Sequence, residues 1–145
     1  MTAHPQHTLR LGDWNTLNED AKAIRFEVFV EEQKVPAELE MDHMDAVCVH
    51  AVAYDAAGTP IGTGRLLPDG HIGRMAVRKG ARGTGVGGAL LQALMAQAKA
   101  RGDRQVMLGS QTHAAPFYER HGFQIEGDEF FEAGIAHINM AYMFG

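Results

Sequence analysis

The sequence predicts a mixed α/β domain around a largely antiparallel sheet, with elements in the order β-α-βββ-α-β-α-ββ. Three observations lead there. A nearly continuous apolar run, Ala46 to Tyr54, reads as a buried strand. Two further runs, 61–67 and 72–78, follow across turns rich in glycine and proline, so three strands meander in sequence. Then Arg82-Gly83-Thr84-Gly85-Val86-Gly87-Gly88 opens directly onto an amphipathic helix.

Taken in order, residues 8–13 (Thr-Leu-Arg-Leu-Gly-Asp) form a short first strand. Thr16 and Glu19 make a capping-box pattern, and the helix after it places Leu17, Ala21, Ile24, Val28 and Glu31 on one face. Pro36 ends that helix, because the residue before a proline is held out of the helical region. The three meander strands follow, separated by turns at Asp55 to Pro60 and Pro68 to Gly70. On the helix after the glycines, Val86, Leu90, Leu91, Leu94, Met95 and Ala98 share a face, while Lys99, Arg101 and Gly102 supply cations and a stop. Gln105 to Gly109 is a short strand. Ala114 to His121 is a short helix with Pro116 in its first turn and Gly122 after it. Residues 123–126 and 137–144 are the last strands, the latter with Ile138, Met140, Tyr142 and Phe144 on one face.

The 145 residues suit one domain, 1–145, and a hydrophobic fraction of 46% is enough for a real core. No apolar run approaches the ~20 residues of a membrane helix. Met1 to Thr8 lacks the basic start and apolar stretch of a secretory signal, and one cysteine, Cys48, cannot form an internal disulfide; a cytoplasmic protein is expected. Cys48 sits in an apolar run and reads as a core thiol rather than a nucleophile. The net charge of -5 argues against nucleic-acid binding. Residues 31–45 carry Glu31, Glu32, Glu38, Glu40, Asp42 and Asp45 against Lys34 alone, whereas 74–82 carry Arg74, Arg78, Lys79 and Arg82 with no acid. The basic stretch suits an anionic cofactor, and the acidic one suits either a cationic substrate or solvent. The 8 histidines show no metal-ligand spacing, so no metal is expected. His50 reads as facing the core or the sheet's active-site side, and His4 and His7 as solvent-exposed.

Alternating glycines let the backbone turn tightly and gather N–H groups into one concavity. The helix start adds its own free N–H groups and its dipole, giving a site for a phosphate or pyrophosphate. A dinucleotide-binding unit would place such glycines after the first strand of a βαβ unit, and a Walker A loop would end in Gly-Lys-Ser/Thr; this chain does neither.

The element order and two motifs resemble the GNAT superfamily of N-acetyltransferases. Arg82-Gly83-Thr84-Gly85-Val86-Gly87 matches its Gln/Arg-x-x-Gly-x-Gly/Ala signature, after a strand ending Met75-Ala76-Val77. Ala115-Pro116-Phe117-Tyr118-Glu119-Arg120-His121-Gly122-Phe123 is similar to its short Phe-Tyr helix. The resemblance covers roughly residues 8–144. It narrows to an ElaA-like and YjcF-like branch through Ile24 to Val30, Glu32-Gln33, Val35-Pro36, Glu40-x-Asp42-x-x-Asp45, Gly109 to Thr112 and Ala133 to His137.

The resemblance implies a GNAT fold whose sheet splays between the fourth and fifth strands. It implies acetyl-CoA, or another acyl-CoA, with its pyrophosphate on the amides of Arg82, Gly83, Thr84, Gly85, Val86, Gly87 and Gly88. Its pantetheine would lie along Met75, Ala76 and Val77, with Phe117 beside the cofactor. The Val77 N–H would face the thioester oxygen. The acceptor would be a small-molecule amine or a protein N-terminus, and a homodimer is compatible with the resemblance. Tyr118 stands as general acid, or packs against the cofactor. A phenol with pKa ~10 giving a proton to a thiolate with pKa ~8.5 goes uphill by roughly 2 kcal/mol. Glu32, Glu40, Asp42 and His113 are candidate bases, with a water chain as the alternative. Glu40, Asp42 and Asp45 could instead brace Arg25 and Arg65. Two other readings stay open: an acyl-CoA sensor without turnover, and an enzyme like the acyl-homoserine-lactone synthases, suggested by Arg25, Phe29, Asp42, Asp45 and Gly64 to Pro68.

Overall fold

Strand β2 explains why its segment is apolar throughout. In the computed structural model, which describes residues 7–40 and 42–145, β2 (Val49–Asp55) has helices over both faces. Ala51 and Ala53 point to one helix, Val52 and Tyr54 to the other, and all four are buried. Strand β1 (His7–Gly12) pairs antiparallel with β2. Strands β3 (Pro60–Leu66) and β4 (Ile72–Val77) complete a sheet in the order β1-β2-β3-β4. Strands β5 (Gln105–Gln111), β6 (Gln124–Glu132) and β7 (Ile135–Met143) form a second, antiparallel sheet in the order β5-β7-β6.

Helix α1 (Trp14–Arg25) lays Leu17, Ala21 and Ile24 on Val52, Tyr54 and Ala76. Its cap is Asp13, whose carboxylate accepts from the Thr16 N–H at 2.9 Å, so the helix starts ahead of the expected Thr16–Glu19 box. The expected continuation to Pro36 changes pitch. Residues Phe26–Glu32 wind as π-helical turns, closed by Gln33 N–H donating to Val28 O at 3.0 Å. The wider turns rotate Glu31 off the buried stripe and into solvent. A single turn α2 (Ala37–Glu40) and a 3-10 turn (His43–Val47) lead to Cys48, which lies just before β2 rather than within it. Helix α3 (Val86–Ala100) buries all six residues of its expected stripe against the opposite face. Helix α4 (Ala115–Arg120) follows β5.

The two sheets meet at one point. His71 bridges Met107 in parallel, and the Met107 N–H donates to Gly70 O at 3.1 Å. Beyond it β4 and β5 diverge, which is the expected splay. Strands β6 and β7 run further than the sequence indicates. They join through Ala133 and Gly134, at φ 51° and 76°, the positive pair a two-residue hairpin turn requires. His7 belongs to β1 and is half-buried, contrary to the expected exposed terminus; His4 lies outside the described residues. No helix among the described residues is long and apolar enough to cross a membrane.

Candidate active site

The glycine loop begins where β4 ends. Gly83 and Gly85 take φ +79° and +87°, and Gly85 caps α3. The Arg82 N–H donates to Lys79 O and the Ala89 N–H to Gly85 O. Among the described residues, no main-chain carbonyl accepts from the six amides between them, 83 to 88. They adjoin the positive end of a 15-residue helix. Nothing lies within 4 Å of where a Cβ would stand on Gly83 or Gly85, so the loop is open there, while a Cβ on Gly88 would crowd the His121 ring at 3.3 Å. The cradle therefore fits a diphosphate, with Arg82 contributing less of its amide than the sequence suggests. The Arg82 guanidinium turns back to Val77 O (2.9 Å) and makes two 2.8 Å contacts with the Glu32 carboxylate.

Strand β4 presents an open edge to the gap. Gly62 and Val77 are directly opposed, and the Arg78 N–H donates to Ile61 O, so Gly62–Val77 is a non-hydrogen-bonded pair. The Val77 N–H and C=O therefore point away from β3, while Ala76 spends its main-chain groups on Thr63. Upstream, Gly64 opposes both Arg74 and Met75 in a β-bulge, with Arg74 at φ +51°. A side chain on Gly64 would collide with Met75 Sδ and come within 3.0 Å of Leu94, so the bulge needs a glycine opposite it.

A cavity of about 550 Å³ fills the gap between β4 and β5. Met75, Ser110, Tyr118, Arg74, Gln111 and His137 are among its lining residues. Tyr118 reaches it from α4, its ring edge-on to Phe117 and Phe123 at 5.0 and 5.9 Å. Burial pushes its hydroxyl up to about 12. Proton transfer to an ordinary thiolate is then uphill by about 5 kcal/mol, and a sulfur in the same dry pocket is shifted upward too, which narrows the gap.

Most charges of the two stretches are paired, the acids Glu40, Asp42 and Asp45 largely with Arg25 and Arg65 from outside the basic stretch, and Arg74 and Arg82 with Asp42 and Glu32. Arg25 donates to Glu40 and to both oxygens of Asp45 (2.9 and 3.1 Å). Arg65 donates to both oxygens of Asp42 (2.7 and 2.8 Å) and to Asp45 (2.8 Å). Arg74 reaches Asp42 at 3.2 Å and the Glu40 carbonyl at 3.2 Å, and Arg78 lies 3.5 Å from Glu27. Neither stretch is therefore a free charged patch. The Arg65 hydrogen bond holds the Asp42 carboxyl far below the usual carboxylate range, and Arg82 lowers Glu32 in the same way. Carboxylates held so make weak bases. Of the four base candidates only Glu40 lines the cavity, and it is committed to Arg25; His113 is exposed on the turn after β5. Cys48 is buried, and burial pushes its thiol up. His50 is buried against Trp14 (centroids 4.7 Å), its Nε2 2.8 Å from Asp45 O, and burial lowers its affinity for a proton.

Sequence reading missed three features of the cavity. Arg74 enters through the bulge. Gln33 and Gln111 exchange side-chain amide hydrogen bonds (2.7 and 3.4 Å) across the gap. His137 lies on β7 opposite Gln111. Its position off the Ile138–Met140–Tyr142 face was the available signal.

The Acetyltransferase (GNAT) domain model matches residues 15–144. The chain is 42% identical over 125 residues, 83% of its own length and 89% of the other, to a Bacillus subtilis (strain 168) protein named uncharacterized N-acetyltransferase YjcF. The structure of an acyl-CoA N-acyltransferase from Pseudomonas aeruginosa superposes with TM-score 0.83 at 30% identity, covering 94% of this chain and 99% of that one. Escherichia coli ElaA gives TM-score 0.83 at 26% identity over the same shares. With the signature loop, the splayed sheet and these likenesses together, the chain belongs to the GNAT acetyltransferase family, in its ElaA-like and YjcF-like branch.

Proposed function

We propose that this protein transfers acetyl, or another acyl group, from acyl-CoA to a primary amine by direct attack within a ternary complex. The observation that carries this reading is the run of six unpaired amides, 83 to 88, at the start of α3, beside the open edge of β4. Acyl-CoA supplies the activated thioester. Gly83 to Gly88 hold its diphosphate through main-chain N–H groups. The β4 edge at Met75 and Val77 takes the amide-bearing arm as an added strand would. The Val77 N–H, fixed by the sheet and facing the gap, donates to the oxygen that gains charge during attack. Tyr118, protonated at neutral pH, offers its proton to the departing sulfur.

A thermal-shift screen with coenzyme A and acetyl-CoA tests the binding half. At ~100 times Kd, about 2.7 kcal/mol is added, which for this chain length raises Tm by about 9 °C. Gly85→Val forces a β-branched residue to φ +87° and should abolish the shift while the protein still folds, since the space around a Cβ there is open. Release of free CoA with a panel of amines tests the transfer half. Binding without release from any amine would favour the sensor reading.

A further inference from the structure

We propose that His137 is the general base that removes the proton from the acceptor ammonium; this rests on the acyl-transfer reading above. Three observations converge on this side chain. It lines the cavity that also holds Tyr118 and the β4 edge. Its Nδ1 lies 2.7 Å from the Ile135 carbonyl oxygen, an acceptor only, so in the neutral ring Nδ1 carries the hydrogen and donates. That leaves Nε2 as a bare lone pair. The ring stacks on Phe130 (centroids 5.7 Å, 25° between planes), which fixes its plane. A hydrogen-bonded orienter behind an imidazole is the arrangement a base needs.

The charged groups around it do not compete for the lone pair. β6, paired with β7, carries Glu126, Asp128, Glu129 and Glu132, all exposed. The turn after β5 carries His113, also exposed. Across the cavity, Glu40 is tied to Arg25, Arg65 and Arg74 to acids, and His71 to Asp69 at 2.9 Å. Among the described residues none of these hydrogen-bonds to the His137 ring. Glu132 lines the cavity without an arginine partner among the described residues, and supplies the charge that draws an ammonium to the mouth.

The step balances as follows. Nε2 of His137 takes one proton from the ammonium, and the freed nitrogen lone pair forms the C–N bond at the thioester carbonyl. Collapse breaks the C–S bond, and the sulfur leaves with the bonding pair and takes a proton from Tyr118. The new amide nitrogen gives up its second proton, which restores Tyr118 through solvent, and the His137 proton passes to water. The ammonium thus loses two protons, one ending on CoA and one in solvent.

Two amine probes isolate this role. Propylamine is protonated at neutral pH and needs a base; methoxyamine is neutral there and does not. His137→Gln should lower CoA release with propylamine by about 10²–10⁴-fold and remove the acid limb of the kcat/KM–pH profile. It should lower release with methoxyamine by less than about tenfold and keep the acetyl-CoA thermal shift. An equal loss with both amines, no loss with either, or an acid limb that survives in the variant overturns the assignment. A second readout needs neither acceptor nor variant. Nitrogen-15 ring spectroscopy of the parent at pH 8.5 should show His137 with Nδ1 protonated and Nε2 bare, and the opposite tautomer overturns it. A parent that shows no acetyl-CoA shift, or releases no CoA with any amine of the panel, these two included, overturns the transfer reading and the base together.

Discussion

Asp45→Asn tests the ionic cluster that walls the cavity. The Asp45 side chain is 3% exposed and accepts from two arginines at once, at 2.9 and 3.1 Å from Arg25 and at 2.8 Å from Arg65. Burial alone would raise its proton affinity, yet the hydrogen bonds and charges of Arg25 and Arg65 lower it overall. Asparagine keeps the shape and one acceptor oxygen but removes the charge. Arg25, 1% exposed, then keeps Glu40, while Arg65, 5% exposed, keeps Asp42. Removing one partner from a buried pair costs about 3–5 kcal/mol. With an unfolding entropy of about 0.3 kcal/mol/K for a chain of this length, Tm should fall by about 10–16 °C. Urea titration and a thermal melt measure both quantities. A midpoint shift with an unchanged m-value is expected, because the surface exposed on unfolding is the same. A loss under about 1 kcal/mol would refute the reasoning, since the cluster would then be no more than a surface ion pair.

Other outcomes follow from the same geometry. Tyr118→Phe should lower kcat by about 10²-fold or more and leave acetyl-CoA affinity nearly unchanged, which single-turnover kinetics and calorimetry separate; an unchanged kcat removes Tyr118 from the mechanism. Gly64→Ala puts a methyl group onto Met75 and Leu94 and should cost about 1–3 kcal/mol, with weaker acyl-CoA binding as the bulge is displaced; a neutral melt would show that β4 tolerates a flat register. Asp42 and Asp45 both bind protons less readily when folded. Their stabilisation is complete above the unfolded carboxylate pKa of ~3.9 and fades as pH falls toward their folded values. Stability should therefore drop below about pH 4, with a shallower drop in Asp42→Asn, as urea midpoints against pH would show.

Much of the fold was legible because burial leaves periodic traces. The α3 stripe was read residue by residue, since a 15-residue helix laid on the face of a sheet needs a continuous apolar face. The β2 run was apolar because helices cover both sides. The last two strands were read, but the full length of β6 and its tight turn into β7 were not legible, because β6 is exposed along most of its length and shows no alternation, and Ala133 gave no sign of a positive φ. The π-helical turns after Arg25 left the same apolar spacing as an ordinary helix for most of their course. In the site, the glycine loop and its run of free amides at the start of α3 could be read because they are one contiguous segment. The bracing of Arg25 and Arg65 by Glu40, Asp42 and Asp45 was legible as one of two alternatives, because buried arginines need acidic partners; the Arg82–Glu32 pair joins residues 50 positions apart, a distance at which sequence shows charge but not partnership. His137 was hidden for the same reason: only the register of β7 on β5 brings it into the cavity.

An amide-resolved NMR titration with coenzyme A bears most directly on the reading as a whole. The backbone N–H signals of Gly83 to Gly88 should move together, farther than any others, and saturate at one Kd, because those donors would bond the diphosphate. Saturable binding that leaves these six signals in place, with the large changes elsewhere on the protein, would contradict it.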